Sequence, residues 1–232
     1  MAKSAVQYFG REQAATYDKK TEELAAIKDA LHLAAQVSFL DLPYDSRILC
    51  VGAGTGAEVL ALAEKNPGWR FTALDPSEAM LEVCRDKLSR KGLLDRCDFH
   101  HGYIESLPPE RRYHAATSIL VSQFLTERAE RVAFFRQIAR HLTDGGHLLT
   151  ADLARPREDR RSQALMDFWV KMQRYSGLSE AQARESTSRW GEDLHFATPR
   201  EIEEILKDGG FPAPVQVFQF LFIHAWTARV AS

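Results

Sequence analysis

Arg47-Ile48-Leu49-Cys50-Val51-Gly52-Ala53-Gly54-Thr55-Gly56, followed by Phe71-Thr72-Ala73-Leu74-Asp75, decides how this 232-residue chain folds. Ile48 to Val51 is a short apolar run bounded by polar residues and glycine, the pattern of a strand buried on both faces in a parallel sheet. Gly52, Gly54 and Gly56 carry no Cβ, so the backbone can turn sharply there and lie against a ligand. A helix opening near Gly56 aims unpaired N–H groups at that loop. Asp75 lies 21 residues beyond Gly54, at the end of the next apolar run. A carboxylate in that place can accept both hydroxyl protons of a ribose. The pair of segments predicts a nucleoside site.

The spacing narrows the cofactor. The dinucleotide fingerprint is G-x-G-x-x-G; here the third glycine comes one residue early, giving G-x-G-x-G. A tighter loop suffices for a nucleoside with no pyrophosphate to wrap, which points to S-adenosylmethionine rather than NAD.

Working outward, strand and helix signals alternate: strand 47–51, helix 57–65, strand 70–75, helix 77–90, strand 96–100, a strand near 114–121, helix 126–142 and strand 146–152. Such alternation specifies a parallel sheet with right-handed crossovers. Gly92 and Gly145-Gly146 read as helix stops. Before this core, residues 11 to 40 read as one or two amphipathic helices with Leu24, Ile27, Leu31 and Ala35 on one face, and Pro43 breaks them off. Residues 155 to 197 interrupt the alternation with a polar, mostly helical insert. Thr198-Pro199 opens another helix, with Thr198 as N-cap and Pro199 at its first position. Val215 to Val230 is apolar and β-branched with aromatics, a strand composition.

At this point the chain resembles the class I S-adenosylmethionine-dependent methyltransferases, over about residues 45 to 152 and the C-terminal strands. Leu49-Cys50-Val51-Gly52-Ala53-Gly54-Thr55-Gly56 looks like the family's first motif, and Leu74-Asp75-Pro76-Ser77-Glu78-Ala79-Met80-Leu81 like its second. The third usually reads Gly-Asp-x-x-x-Leu-Pro and here is Gly102-Tyr103-Ile104-Glu105-Ser106-Leu107-Pro108, so Tyr103 stands where an aspartate usually meets the adenine. Ser118 to Leu125 is placed like the strand end beside the sulfonium, and Gly145-Gly146-His147-Leu148-Leu149 like the turn before strand five.

The resemblance implies an α/β, Rossmann-like sheet of seven strands, mostly parallel with an antiparallel C-terminal hairpin, and helices on both faces. It implies one domain: a helical lid (1–44), a cofactor-binding core (45–152), an insert (153–197), then a last helix and hairpin (198–232). Gly52, Ala53, Gly54, Gly56, Asp75, Pro76, Met80, Tyr103, Ile104 and Leu120 are the expected cofactor contacts. Within the family, Gln123-Phe124-Leu125, Tyr17-Asp18 and Asp208-Gly209-Gly210-Phe211 suggest the branch that includes carboxy-S-adenosylmethionine synthase. That enzyme holds an extra carboxylate with an arginine in the late helix. Ile205 aligns there, which favours the ordinary cofactor.

Composition sets bounds. Hydrophobic content of 45% and charged content of 27% are ordinary for a globular domain, and a net charge of −2 gives no general drive toward nucleic acid or membrane. The N-terminus lacks the apolar core of a signal peptide, and no run reaches a membrane span of about 18 residues; a cytoplasmic protein is expected. Cys50, Cys84 and Cys97 are too scattered for a zinc site and too few for a disulfide scaffold. His100 and His101 are adjacent on a strand and point to opposite faces, so no metal is expected.

Candidate catalytic residues are Tyr17, which could meet the cofactor or the acceptor, Gln123, and Asp152 at the end of strand five, a base or a turn cap. Phe124, Trp169, Tyr175 and Arg189 are the candidate substrate residues. The stripe Trp169, Met172 and Tyr175 suits a core or dimer contact as well as a substrate cage. Arg174, His195 and His224 are lesser candidates. Arg155 to Arg161 reads as a solvated helix start rather than an RNA contact. The leading expectation is methyl transfer to a small organic acceptor. The alternatives are modification of a tRNA wobble uridine and a non-catalytic regulator that binds the cofactor. The insert and edge hairpin are compatible with a homodimer.

Overall fold

The computed structural model describes residues 10–156, 159–188, 190 and 196–231. In chain order the helices are α1 (Arg11–Lys20), α2 (Ala25–Ser38), α3 (Ala57–Lys65), α4 (Glu78–Arg90), α5 (Arg128–His141), α6 (Asp159–Tyr175), α7 (Glu180–Ser188) and α8 (Pro199–Asp208). The strands are β1 (Arg47–Val51), β2 (Arg70–Asp75), β3 (Cys97–His101), β4 (Tyr113–Ile119), β5 (Leu142–Leu153), β6 (Val215–Phe220) and β7 (Ile223–Arg229).

The seven strands form one sheet in the order β3-β2-β1-β4-β5-β7-β6. β1 pairs in parallel with β2 and β4, β2 with β3, and β4 with β5. β7 runs antiparallel to both β5 and β6. This is the architecture expected from the sequence.

Burial on both faces of β1 gives two core layers. Ile48 and Cys50 face α3 and α4, packed with Phe39, Val59, Leu62, Leu81 and Leu88. Leu49 and Val51 face α5 and α8, packed with Phe135, Ile138, Ile202, Ile205 and Phe211. These strand residues are at most 2% exposed, so alternate side chains serve opposite layers of one continuous sheet.

α8 is anchored at its start by a reciprocal capping box. Glu201 N–H donates to Thr198 Oγ1 at 3.2 Å, and Thr198 N–H donates to Glu201 Oε2 at 2.8 Å.

One boundary differs from expectation. Gly145-Gly146 does not stop a helix: α5 has already ended at His141, and Leu142 is extended. The glycines lie inside β5, where the register against β4 shifts between Tyr113 and Ala115. A Cβ on Gly146 would sit 2.7 Å from Thr143 O, so the irregularity needs glycine. Gly92, at φ +67 just beyond α4, does sit where a helix stop belongs.

Among the described residues, no helix is long and apolar enough to cross a membrane.

Candidate active site

The order β2-β1-β4 places the reversal of strand order between β1 and β4. Open α/β sheets bind ligands beyond the carboxyl ends of the strands at such a point. A cavity of about 300 Å³ opens there. Gly52, Ala53, Gly54, Asp75, Pro76, Met80, Tyr103, Ile104, Leu120 and Phe124, all singled out from sequence, line it, and Tyr17 closes it from α1. Gly56 does not line it; it packs beneath the loop, where a Cβ would lie 2.3 Å from Cys84 Sγ.

The loop is shaped by two glycines for different reasons. Gly52 has φ +71, and a Cβ there would meet Val121 Cγ2 at 2.4 Å. Gly54 has φ +53, yet nothing lies within 4 Å of its Cβ position. Gly52 is thus required by packing and Gly54 by backbone conformation, which leaves open space for a ligand against the chain.

Asp75 fixes the loop from below. Its Oδ2 accepts from Gly54 N–H at 2.8 Å and its Oδ1 from Ser77 N–H at 2.8 Å. A carboxylate has about four acceptor sites, so these bonds leave capacity on both oxygens. Burial pushes the Asp75 carboxyl above its usual range, while the two N–H donors pull it back. A partly desolvated carboxylate with spare lone pairs, beside a bare glycine backbone, fits the two ribose hydroxyls of a nucleoside.

The far wall is the loop after β4. Leu120 takes the left-handed conformation at φ +59 and donates its N–H to Ala151 O at 2.8 Å. That conformation costs a non-glycine residue about 1–2 kcal/mol, so the surroundings must hold it. The residues that follow Leu120 are tied down by a buried polar cluster. Arg131 on α5 is fully buried and donates to Ser122 Oγ from Nε (3.2 Å) and Nη2 (3.0 Å). Ser122 Oγ donates to Asp152 Oδ2 at 2.7 Å, and Arg131 pairs with Asp152 at 3.3 Å. Leu153 N–H donates to Gln123 Oε1 at 3.1 Å.

These bonds redefine two of the expected catalytic residues. Asp152 is 0% exposed and turned away from the cavity into an ion pair, so it is a structural anchor rather than a base. Gln123 is buried and bound to the β5 backbone, which leaves Phe124 alone of the pair on the wall. His224 faces the core beside Asp152 in register and stacks on Trp226, with burial lowering its pKa to about 4.

In the insert the core reading of the α6 stripe is the one realised, and Trp169 is not on the cavity wall. Trp169 and Met172 are buried in a third core cluster, with Trp169 packed edge-on to Trp190 and against Phe222. They do not line the cavity, because the apolar stripe of α6 is used for packing. Tyr175 is 74% exposed at the end of α6, and Arg174 beside it pairs with Glu180. Arg189 and His195 lie outside the described residues, as do positions 157 and 158 of the basic stretch. His100 and His101 are engaged by Ser106 Oγ (2.8 Å) and by Pro76 O (3.2 Å).

The N-terminal segment from Tyr17 to His32 supplies further walls of the cavity. Leu24, Ile27 and Leu31, which share one face of the N-terminal helices, line the cavity together with Phe134 and Ile223. Thr21, Lys28 and His32 add polar groups, with Lys28 Nζ donating to Thr21 Oγ1 at 3.0 Å. Burial lowers the His32 pKa, which favours the neutral imidazole. Asp18 latches α1 down: it accepts from Thr55 Oγ1 at 2.8 Å and pairs with Lys87 of α4. Glu58, in the first turn of α3, also lines the cavity. An acid in a first turn reads locally as a partner of the helix dipole, and nothing in the sequence near it signals its inward direction.

Comparison with known proteins agrees with this geometry. Residues 48–146 match the family described as "Methyltransferase domain". A carboxy-S-adenosyl-L-methionine synthase from Campylobacter lari is 22% identical over 85% of this chain and 83% of its own length. A ubiquinone/menaquinone biosynthesis C-methyltransferase from Pseudomonas putida is 23% identical over 85% of this chain and 77% of its own. Two other matches are partial: the chain spans 7% of a polyketide synthase from Burkholderia thailandensis and 27% of a release factor glutamine methyltransferase from Coxiella burnetii. Among solved structures, human N-acetylserotonin methyltransferase in complex with S-adenosylmethionine superposes with a TM-score of 0.61 at 17% identity, over 94% of this chain and 58% of that one.

Proposed function

We propose that this chain, whose residues 48–146 match a methyltransferase-domain family, is a class I S-adenosylmethionine-dependent enzyme that methylates a small, largely apolar organic acceptor. The observation that carries this reading is the lid. Leu24, Ile27 and Leu31 make an apolar roof over the cavity, and the Asp18 bonds to Thr55 and Lys87 hold α1 down beside it. A covered apolar chamber suits a small molecule better than a nucleic acid or a protein surface.

S-adenosylmethionine supplies an activated methyl group on a sulfonium with a good leaving group. The protein's task is then mainly alignment, which can account for ~7–11 kcal/mol of barrier lowering. Asp75 would hold the ribose hydroxyls with the lone pairs left over from Gly54 and Ser77. Met80, Tyr103 and Ile104 would flank the base, where Tyr103 would offer an aromatic contact in place of a carboxylate. Leu120 and Phe124 form the wall on which the acceptor is positioned. Tyr17, Lys28 and His32 are the polar groups of the lid that meet the acceptor's nucleophilic end. His32, half-buried and favoured in its neutral form, takes up the proton that an oxygen, nitrogen or carbon nucleophile gives up on methylation.

The test uses cofactor carrying a tritiated methyl group, incubated with the protein and cell extract. Label is expected in the organic-extractable, low-molecular-mass fraction. Label found only in precipitated RNA or protein would contradict the reading. With the extracted acceptor, His32→Asn should lower turnover by about 100-fold and leave binding of S-adenosylhomocysteine unchanged. Equal losses in both would assign His32 to the cofactor instead.

A further inference from the structure

Glu58 has no role in that scheme, yet it is placed as a ligand-binding group. It is 6% exposed, lines the cavity, and reaches under the glycine loop from the first turn of α3. Thr117 Oγ1 of β4 donates to its Oε1 at 2.7 Å, which fixes the carboxyl between the carboxyl ends of β1 and β4. Among the described residues no arginine, lysine or histidine pairs with it.

The groups acting directly on its carboxyl are neutral or acidic; the cavity's cation, Lys28, acts on it from the opposite wall without pairing to it. From β1 comes Cys50, whose thiol burial keeps protonated, and from α4 Cys84, pushed up to about 12. From β2 comes Asp75, a second carboxyl. Above the loop, Asp18 and Lys87 neutralise each other. Across the cavity, Lys28 and His32 stand on the lid, and Lys28 bonds to Thr21. A buried acid without a counter-ion is costly when ionised, and here it lies on the wall of a cavity that receives a permanent cation.

We propose that Glu58 recognises the positive charge of the sulfonium, the feature that distinguishes the cofactor from its demethylated product. This rests on the reading of the cavity as the S-adenosylmethionine site. Glu58 ionises when the cation enters and returns to the neutral acid, by taking a proton from solvent, once the methyl group has left. The carboxylate therefore favours cofactor over product, and transfer removes the charge that held the ligand.

The sign of the pH dependence follows. Burial holds the Glu58 carboxyl at about 7, so it is mostly neutral at pH 6 and mostly ionised at pH 8. S-adenosylmethionine and S-adenosylhomocysteine share their amino and carboxylate groups, so the ratio of their affinities isolates the sulfonium. If binding lowers the Glu58 pKa by about one unit, that ratio should rise roughly fivefold in favour of S-adenosylmethionine between pH 6 and pH 8. Calorimetry in buffers of different ionisation enthalpy should show the wild-type protein releasing roughly 0.4 more proton on binding S-adenosylmethionine than on binding the product at pH 7. In Glu58→Gln both differences should vanish, with both ligands still bound.

A ratio independent of pH in the wild-type protein, with no differential proton release, would overturn the proposal while leaving the cofactor site in place. The wild-type measurement decides this even if Glu58→Gln fails to fold. Failure of both ligands to bind would overturn the site reading itself, and the proposal with it.

Discussion

Asp75→Ala is expected to weaken binding of S-adenosylmethionine by a hundredfold or more. Two effects add. The ribose hydroxyls lose a charged acceptor, at about 1.5–3 kcal/mol per hydrogen bond. The N–H groups of Gly54 and Ser77 lose the oxygens that each meets at 2.8 Å, so the loop is no longer held in its binding shape. Asp75→Asn should fall between, because the amide keeps one acceptor oxygen. Titration calorimetry of the three proteins gives the order directly. Unchanged affinity in Asp75→Ala would mean that the cofactor lies elsewhere.

The second large effect concerns stability. Arg131→Leu is expected to destabilise the fold by about 3–5 kcal/mol, because it strands the Asp152 carboxylate in a site with no solvent access. In a domain of this size that is a fall in melting temperature of roughly 10 °C. Asp152 is held by Arg131 and by Ser122, whose hydroxyl is bonded to both. Removing the charge as well, in Arg131→Leu with Asp152→Leu, should restore most of the loss. Urea unfolding of the two single variants and the double variant measures the coupling. A single variant as stable as the wild type would show that the pair anchors nothing.

The same cluster explains where sequence reading succeeded and where it stopped. The glycine loop and Asp75 are legible because their requirements are local. A strand must end, a backbone must turn through positive φ, and a carboxylate must close the next strand. Each of these needs leaves its mark within a few residues. Asp152 looks similar, an acid at a strand end, but its direction depends on which face of β5 carries it. That face is occupied by Arg131, from a helix earlier in the chain, and no local pattern announces the pairing.

For Trp169 and Met172 the sequence leaves two readings, and the structure realises the core one. A helical stripe of large apolar residues fits a substrate cage or a core equally well. Only the positions of Trp190, Phe196 and Phe222 turn it into packing. Leu24, Ile27 and Leu31 share one amphipathic face by the same periodicity, and that face both packs on the third core cluster and lines the cavity. Amphipathicity tells that a face is covered, not whether protein or ligand covers it. The fold was therefore readable from the core motifs, while the acceptor side depends on contacts between segments far apart in the chain.

The central claim is that the cavity over the glycine loop is an S-adenosylmethionine site. Calorimetric titration of the purified protein with S-adenosylmethionine, S-adenosylhomocysteine and NAD tests it most directly. Binding of the first two at micromolar concentrations, with no heat from NAD, is the result expected. Absence of binding by S-adenosylmethionine and S-adenosylhomocysteine, or a preference for NAD, would contradict it.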